Sequence, residues 1–386
     1  MTLLVLPGGE RRRLRGGGPA EDVTVGPTTA PPRSRVAYAA AHVVADPLAE
    51  NVPGAPAALD WDATLAFRHH LWRCGLGVAE AMDTAQRGMG LDYPAVRSLV
   101  RRSAAEARSV GGRIVAGVAT DQLTGPATVP EVLEAYREQL ADVVDAGAVP
   151  VLMCSRHLAA AATGPDDYLS VYGTLLSEVD GPVLLHWLGP MFDPALAGYW
   201  GATSFDGAAD TVLTLLKDHA STVDGIKMSL LDDALEIELR RRLPAGVRMY
   251  TGDDFNYPAL IAGDEHGHSD ALLGVFAAIA PLVGPALAAL DDGDVAGFRA
   301  VLDPTVPLAR HLFCAPTQYY KTGIVFLSWL AGHQDHFVMV GGLQSGRSVT
   351  HLARLLVLAD EVGLLPDAEL AAARARAFFA TCGVEQ

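Results

Sequence analysis

From Arg35 onward one unit recurs along this chain: an apolar run of about five residues, a polar or glycine-rich turn, then a longer stretch whose apolar positions have helical spacing. Strands separated by whole helices are too far apart along the chain to pair as tight hairpins, so the pattern implies parallel strands with helical crossovers. The runs are Val36–Ala40, Gly77–Met82, Ile114–Val118, Pro150–Cys154, Pro182–His186, Val223–Lys227 and Val247–Thr251, with a short eighth expected in the turn at Gly267–Ser269. Helical patterns open near Asp60 or Asp62 and recur over Pro94–Arg108, Pro130–Ala146, Asp166–Val179 and Ala208–Ala220. Eight such strands match a closed (β/α)8 TIM barrel, an α/β fold, better than an open doubly wound sheet with two exposed edges.

From about Pro281 the strand signal stops, and helical patterns follow over Gln318–Gly332 and Ser348–Ala380. The expected organisation is an N-terminal arm over residues 1–33, a barrel over 34–280 and a C-terminal helical domain over 281–386. The alternation in Thr2–Leu6 fits an edge strand within the arm. The apolar runs Ile324–Leu330 and Leu352–Leu358 exceed what a lone peripheral helix needs, which predicts a homodimer or homotetramer.

Nearly every apolar run ends in groups able to do chemistry: His42, Glu80 with Asp83, Asp121, His157, His186, Lys227, Asp253 with Asp254, and His268. In a barrel these ends share one mouth, so residues distant in sequence converge there. Strand-to-helix loops also recruit such residues as helix caps, and Asp253 fits that role equally well.

Lys227 is one of only three lysines, with Lys217 and Lys321. Arginine holds almost every other basic position, which suits a permanent charge but not an amine that must lose its proton and attack a carbonyl. Val223–Lys227 reads as a buried strand with the lysine at its end, where burial would lower the amine pKa. The other reading is a structural lysine paired with a carboxylate.

A formal net charge of −16, with basic runs of three or more only at Arg11–Arg15 and Arg240–Arg242, excludes nucleic-acid and anionic-membrane surfaces, which need concentrated positive charge. Gly8-Gly9 and Gly16–Gly18 lack the lysine and helix of a phosphate cradle. Cys74, Cys154, Cys314 and Cys382 form no Cys-x-x-Cys pair, which together with the lack of a visible signal peptide or membrane span fits a reduced, cytoplasmic protein.

Gly225-Ile226-Lys227-Met228-Ser229 resembles the Gly-Ile-Lys-Asp-Ser stretch of the dihydrodipicolinate synthase and N-acetylneuraminate lyase family, and Tyr250-Thr251-Gly252-Asp253-Asp254 resembles its Ser-Gly-Asp-Asp turn. Other stretches follow in the family's order. Gly75–Glu80, Arg113–Val118 and Ala141–Met153 look like the approaches to its second, third and fourth strands, Val183–Pro190 like its Tyr-Asn-x-Pro strand, and Ala315–Lys321 like its Asn-Pro-x-x-x-Lys segment. Within the family the chain is similar to a bacterial branch labelled dihydrodipicolinate-synthase-like. The resemblance spans roughly residues 35–365 and implies a barrel with a C-terminal helical domain, a Schiff-base lysine at Lys227, a small carbonyl substrate and no cofactor. Two segments depart from the family pattern. The Gly-Thr-Thr-Gly-Glu loop that holds a keto acid carboxylate corresponds to Asp83-Thr84-Ala85-Gln86-Arg87, where Arg87 either replaces the lost ligand or pairs with Asp83. The proton-relaying tyrosine falls on Trp187, or on His186 if the register shifts by one.

An iminium at Lys227 would accept electrons from a breaking carbon-carbon or carbon-oxygen bond, as in aldol cleavage, aldol addition or dehydration. His186 is the expected acid/base, because imidazole titrates in the right range and indole exchanges no proton. Glu80, Asp83, Thr84, Arg87, Trp187, Asp253, Asp254 and His268 are the expected substrate-binding residues. A second reading places a divalent metal on Glu80, Asp121, His186, Asp253 and His268, as in sugar isomerases, with His266-Gly267-His268 supplying two imidazoles. A third is a sugar-acid-binding barrel that has kept the fold and lost the chemistry.

Overall fold

The structure is a computed structural model that describes residues 3–18, 30–82 and 86–386. The chain begins with an antiparallel pair, β1 (Leu3–Val5) and β2 (Arg11–Arg13), in which Leu4 faces Arg12. This arm docks on the C-terminal helices and makes no edge strand on the barrel: Arg15 N–H donates to Asp360 at 2.7 Å, Arg12 bridges Glu361, and Leu4, Leu6 and Leu14 are buried.

Eight parallel strands follow: β3 (Ala37–Ala40), β4 (Gly77–Glu80), β5 (Ile114–Val118), β6 (Val149–Leu152), β7 (Val183–Leu188), β8 (Val223–Ser229), β9 (Arg248–Thr251) and β10 (Asp270–Leu273). Each pairs with the next and β10 pairs with β3, which closes the barrel. The eighth strand lies at Asp270–Leu273 and not in the turn at Gly267–Ser269, a correction that decides below on which end of the barrel His268 stands. Inside the barrel, bulky side chains fill space that glycines leave open. A Cβ on Gly77 would sit 2.4 Å from the Tyr38 ring, and one on Gly225 would sit 2.7 Å from that of Tyr250. Tyr38, Val115, Val151, Leu184, Tyr250 and Leu272 belong to this inner core, while the opposite strand faces join a continuous outer core under the helices.

Amphipathic helices cover the strands, most with local stop and start signals. Val129–Ala146 opens on a capping box between Thr128 and Glu131 and closes on Gly147 in the left-handed region (φ 79°). The helix Phe276–Asp291 runs through the expected boundary at 280/281, so the barrel passes into the helical extension without a linker. Six helices from Phe276 to Thr381 form that extension. Ile324, Phe326, Leu330, Leu352 and Leu355 are all fully buried within the single chain, so these apolar runs are no argument for a second copy.

Candidate active site at the barrel mouth

Lys227 emerges from β8 into the barrel beside its register partner on β7, His186. An irregularity between Val183 and Leu184 sets this register: Val223 faces Val183 but Gly225 faces Leu184, so Asp224 is the extra residue of a bulge. Past the bulge Lys227 and His186 point the same way. Lys227 Nζ lies 3.1 Å from His186 Nε2, which lies 3.1 Å from Ser229 Oγ. Both Lys227 and His186 are buried. Burial first, and then the neighbouring Lys227, hold the His186 imidazole well below its usual pKa, so it is uncharged at neutral pH.

Alternation along β7 sends the next residue the other way. Trp187 stacks on Phe205 at 5.6 Å between ring centroids and meets Trp200 edge-on, both in the outer layer, so it walls no pocket at the mouth.

Asp254 follows β9, is buried, and accepts the Val275 N–H at 2.8 Å. Burial raises its carboxyl pKa to about 7, against the opposing pull of Val275 N–H, Lys227 and Lys321. Lys321 reaches the mouth from the helix Tyr320–Leu330, where its ammonium donates to the carbonyl of Ala40 at the end of β3. Above the ends of β5, β6 and β7 lies a cavity of ≈ 360 Å³ lined by Thr120, Asp121, Cys154, Ser155, His157 and Leu188 among others. Cys154 Sγ donates to the His186 carbonyl at 3.2 Å, which joins this cavity to the lysine site. Ser229, Thr120 and Ser155 were missed as candidates in the sequence. Ser229 carried a signal, because it stands two residues after Lys227 and therefore on the same strand face.

Several expected site residues are committed elsewhere. Glu80 faces the outer helices, where its carboxylate takes 2.9 and 2.8 Å bonds from Arg68 and one of 2.7 Å from Ser103, with Arg68 and Glu80 both fully buried. It cannot bind substrate, and Glu80→Ala should cost about 3–5 kcal/mol of stability by stranding a buried guanidinium. Urea unfolding would measure this; a loss under 1 kcal/mol, the usual ceiling for an exposed pair, would contradict it. Arg87 is spent on Asp121 at 2.8 Å and on the carbonyls of Ala81 and Gly117, its partners among the described residues, so it offers no open carboxylate receptor. Asp253 holds its own turn by accepting from the N–H groups of Phe255 and Asn256. His268 precedes β10 and sits among Arg35, Asp270 and Arg248, at the end of the barrel opposite Lys227. Asp83 and Thr84 lie outside the described residues. The five proposed metal ligands are thus scattered, with only His186 at the centre of the mouth. Among the described residues one group of three His, Cys, Asp or Glu side chains comes within metal-binding reach, His311, Cys314 and His351, and it lies in the helical extension.

The buried histidines make folding pH-dependent. Burial holds His42, His70, His186 and His333 below the usual imidazole value of about 6.5, His333 at about 4. Their contribution is complete above 6.5 and is lost as pH falls through the folded values, because the unfolded chain takes up protons first. Asp254, raised to about 7, and Glu236, raised to about 8, act in the opposite sense, but four histidines outweigh two carboxyls. Unfolding free energy in urea should therefore drop between pH 6.5 and 5, and a flat or rising profile would contradict this account.

The barrel closed by β10 and β3, with a lysine on its sixth strand and helices after its eighth, is the fold of the dihydrodipicolinate synthases. The synthase from Aquifex aeolicus superposes with a TM-score of 0.66 at 14% identity over 86% of this chain and 99% of that one. YagE, an E. coli K12 prophage protein of the dihydrodipicolinic acid synthase family solved with pyruvate, gives 0.66 at 15% over 86% and 99%. The Thermotoga maritima synthase gives 0.63 at 15% over 86% and 100%. At these identities the likeness is one of fold. No curated protein matches the sequence. The chain belongs to the family described as "Protein of unknown function (DUF993)", which it matches over residues 6–384.

Proposed function

We propose that this chain is a class I lyase of the aldolase or dehydratase type, in which Lys227 forms a Schiff base with a small hydroxylated keto acid or keto sugar. The observation that carries this reading is the 3.1 Å approach of Lys227 Nζ to His186 Nε2 inside the barrel. An unprotonated Nε2 accepts the N–H of a neutral Lys227 amine and so orients its lone pair for attack. The amine then adds to the substrate carbonyl, water leaves, and the iminium nitrogen draws in the electron pair of a breaking carbon-carbon bond, or that of an adjacent carbon-hydrogen bond to give an enamine that expels the neighbouring oxygen with the carbon-oxygen pair. His186 takes the hydroxyl or carbon-bound proton that this step releases and returns it to the enamine carbon or to the departing oxygen, with the Ser229 hydroxyl fixing its ring orientation.

The fold shared with dihydrodipicolinate synthases supports the same chemistry, although fold alone names no reaction. Borohydride added with each of a panel of keto acids and keto sugars should raise the protein mass by one reduced substrate in at least one case. Binding of a carbonyl compound by calorimetry with no mass gain from any member would instead select the non-catalytic barrel.

A further inference from the structure

The helical extension carries a cluster that the chemistry at the mouth does not use. His311 lies in the last turn of the helix Val306–Leu312, Cys314 follows in the loop, and His351 stands in the first turn of the helix Val349–Glu361. One ligand atom from each lies within 4.8 Å of the other two. Cys314 Sγ is 3.9 Å from His351 Nδ1, and the two imidazoles stack with centroids 4.1 Å apart. His311 Nε2 lies 3.0 Å from the His351 carbonyl oxygen. A carbonyl only accepts, so Nε2 carries the proton and the lone pair of His311 is on Nδ1. This is the outer contact that fixes the tautomer of a metal-ligating histidine.

We propose that His311, Cys314 and His351 bind one thiophilic d10 cation, Zn(II) or Cu(I). One thiolate and two imidazoles suit these ions, whereas Mg(II) and Ca(II) need the oxygen ligands this cluster lacks. Zn–S and Zn–N bonds of ~2.3 and ~2.0 Å at a tetrahedral angle place sulfur and nitrogen about 3.5 Å apart, so Cys314 and His351 close by a few tenths of an ångström on binding, and one of the two rings, stacked at 18°, turns so that both in-plane lone pairs meet at the ion. Binding exchanges the Cys314 thiol proton, released to solvent, for a metal-sulfur bond, and no electrons are transferred.

Charge ranks the two ions. Arg347 donates to the Cys314 carbonyl at 2.7 Å, so a fixed cation stands beside the site. A Cu(I) thiolate is neutral there and needs no ligand beyond these three, whereas a Zn(II) thiolate keeps a positive charge and takes water as its fourth ligand. Either ion ties the helix Val306–Leu312 to the helix Val349–Glu361 and anchors the start of the segment from Cys314 that leads to Lys321 at the mouth. The proposal stands independently of the lyase reading.

The test uses the full chain with its exposed thiol removed by Cys382→Ser, after dialysis against a chelator. Co(II), as an optical stand-in for Zn(II), and Cu(I) under anaerobic competition with a chromogenic chelator are titrated separately. The expected result is one equivalent bound per chain with micromolar or tighter affinity. The cobalt form should show a thiolate-to-metal charge-transfer band that one equivalent of Zn(II) bleaches. Cys314→Ser and His351→Asn should each weaken binding at least ~10-fold, and Cys314→Ser should remove the band. Failure of both ions to bind at one per chain, or a band that survives in Cys314→Ser, overturns the proposal. If Cys314→Ser does not fold, undiminished binding in His351→Asn overturns it.

Discussion

Lys227→Arg should abolish both turnover and borohydride-trapped adduct while the protein stays folded. Arginine keeps the positive charge beside His186 but remains protonated at any accessible pH, so it has no lone pair with which to attack a carbonyl. The covalent step is removed rather than slowed, and turnover should fall ~10⁶-fold or more, the low end of enzymatic rate enhancements. Circular dichroism should match that of the wild type. Lys217→Arg is the internal control, because Lys217 is exposed in the last turn of the helix Phe205–Asp218 and should retain full adduct formation. Turnover by Lys227→Arg within tenfold of the wild type would rule out imine chemistry.

His186→Gln should separate adduct formation from proton transfer. The amide can still bond to Ser229, and Lys227 still has its amine, so the adduct forms. Loss of a positioned acid/base should lower kcat ~10²–10⁴-fold. Because His186 is held well below 6.5 by burial, its own titration does not produce a limb near neutrality. The group poised there is Asp254, at about 7, protonated below that value and ionised above it. A pH-rate limb near 7 should therefore survive in His186→Gln and disappear in Asp254→Asn. An unchanged kcat in His186→Gln would move the proton relay to Asp254, since Glu80 is sealed behind Arg68.

The barrel was legible because its period is written repeatedly, and seven strands lie where the apolar runs put them to within a few residues. The eighth was placed about three residues early, since Gly267, His268 and Ser269 carry no apolar signal and the pairing of Asp270 with Tyr250 is visible only in three dimensions. That small shift moved His268 to the wrong end of the barrel. Glu80 and Trp187 were misjudged for a related reason: alternation tells which residues share a face but not which face is inside. The bulge at Asp224, which brings Lys227 level with His186, depends on β7 and β8 together and has no signature in either strand alone. Arg87 shows the same limit, because its partner Asp121 lies on a different loop, 34 residues further along.

With three lysines in the chain, the central claim reduces to which one carries the adduct. The direct measurement is borohydride reduction with the best carbonyl compound of the panel, proteolysis, and mass mapping of the modified peptide. Lys321 is the informative competitor, being buried and within the same mouth. One reduced adduct per chain, on Lys227, is the expected result. An adduct on Lys321, or none on Lys227 under conditions of demonstrated turnover, would contradict it.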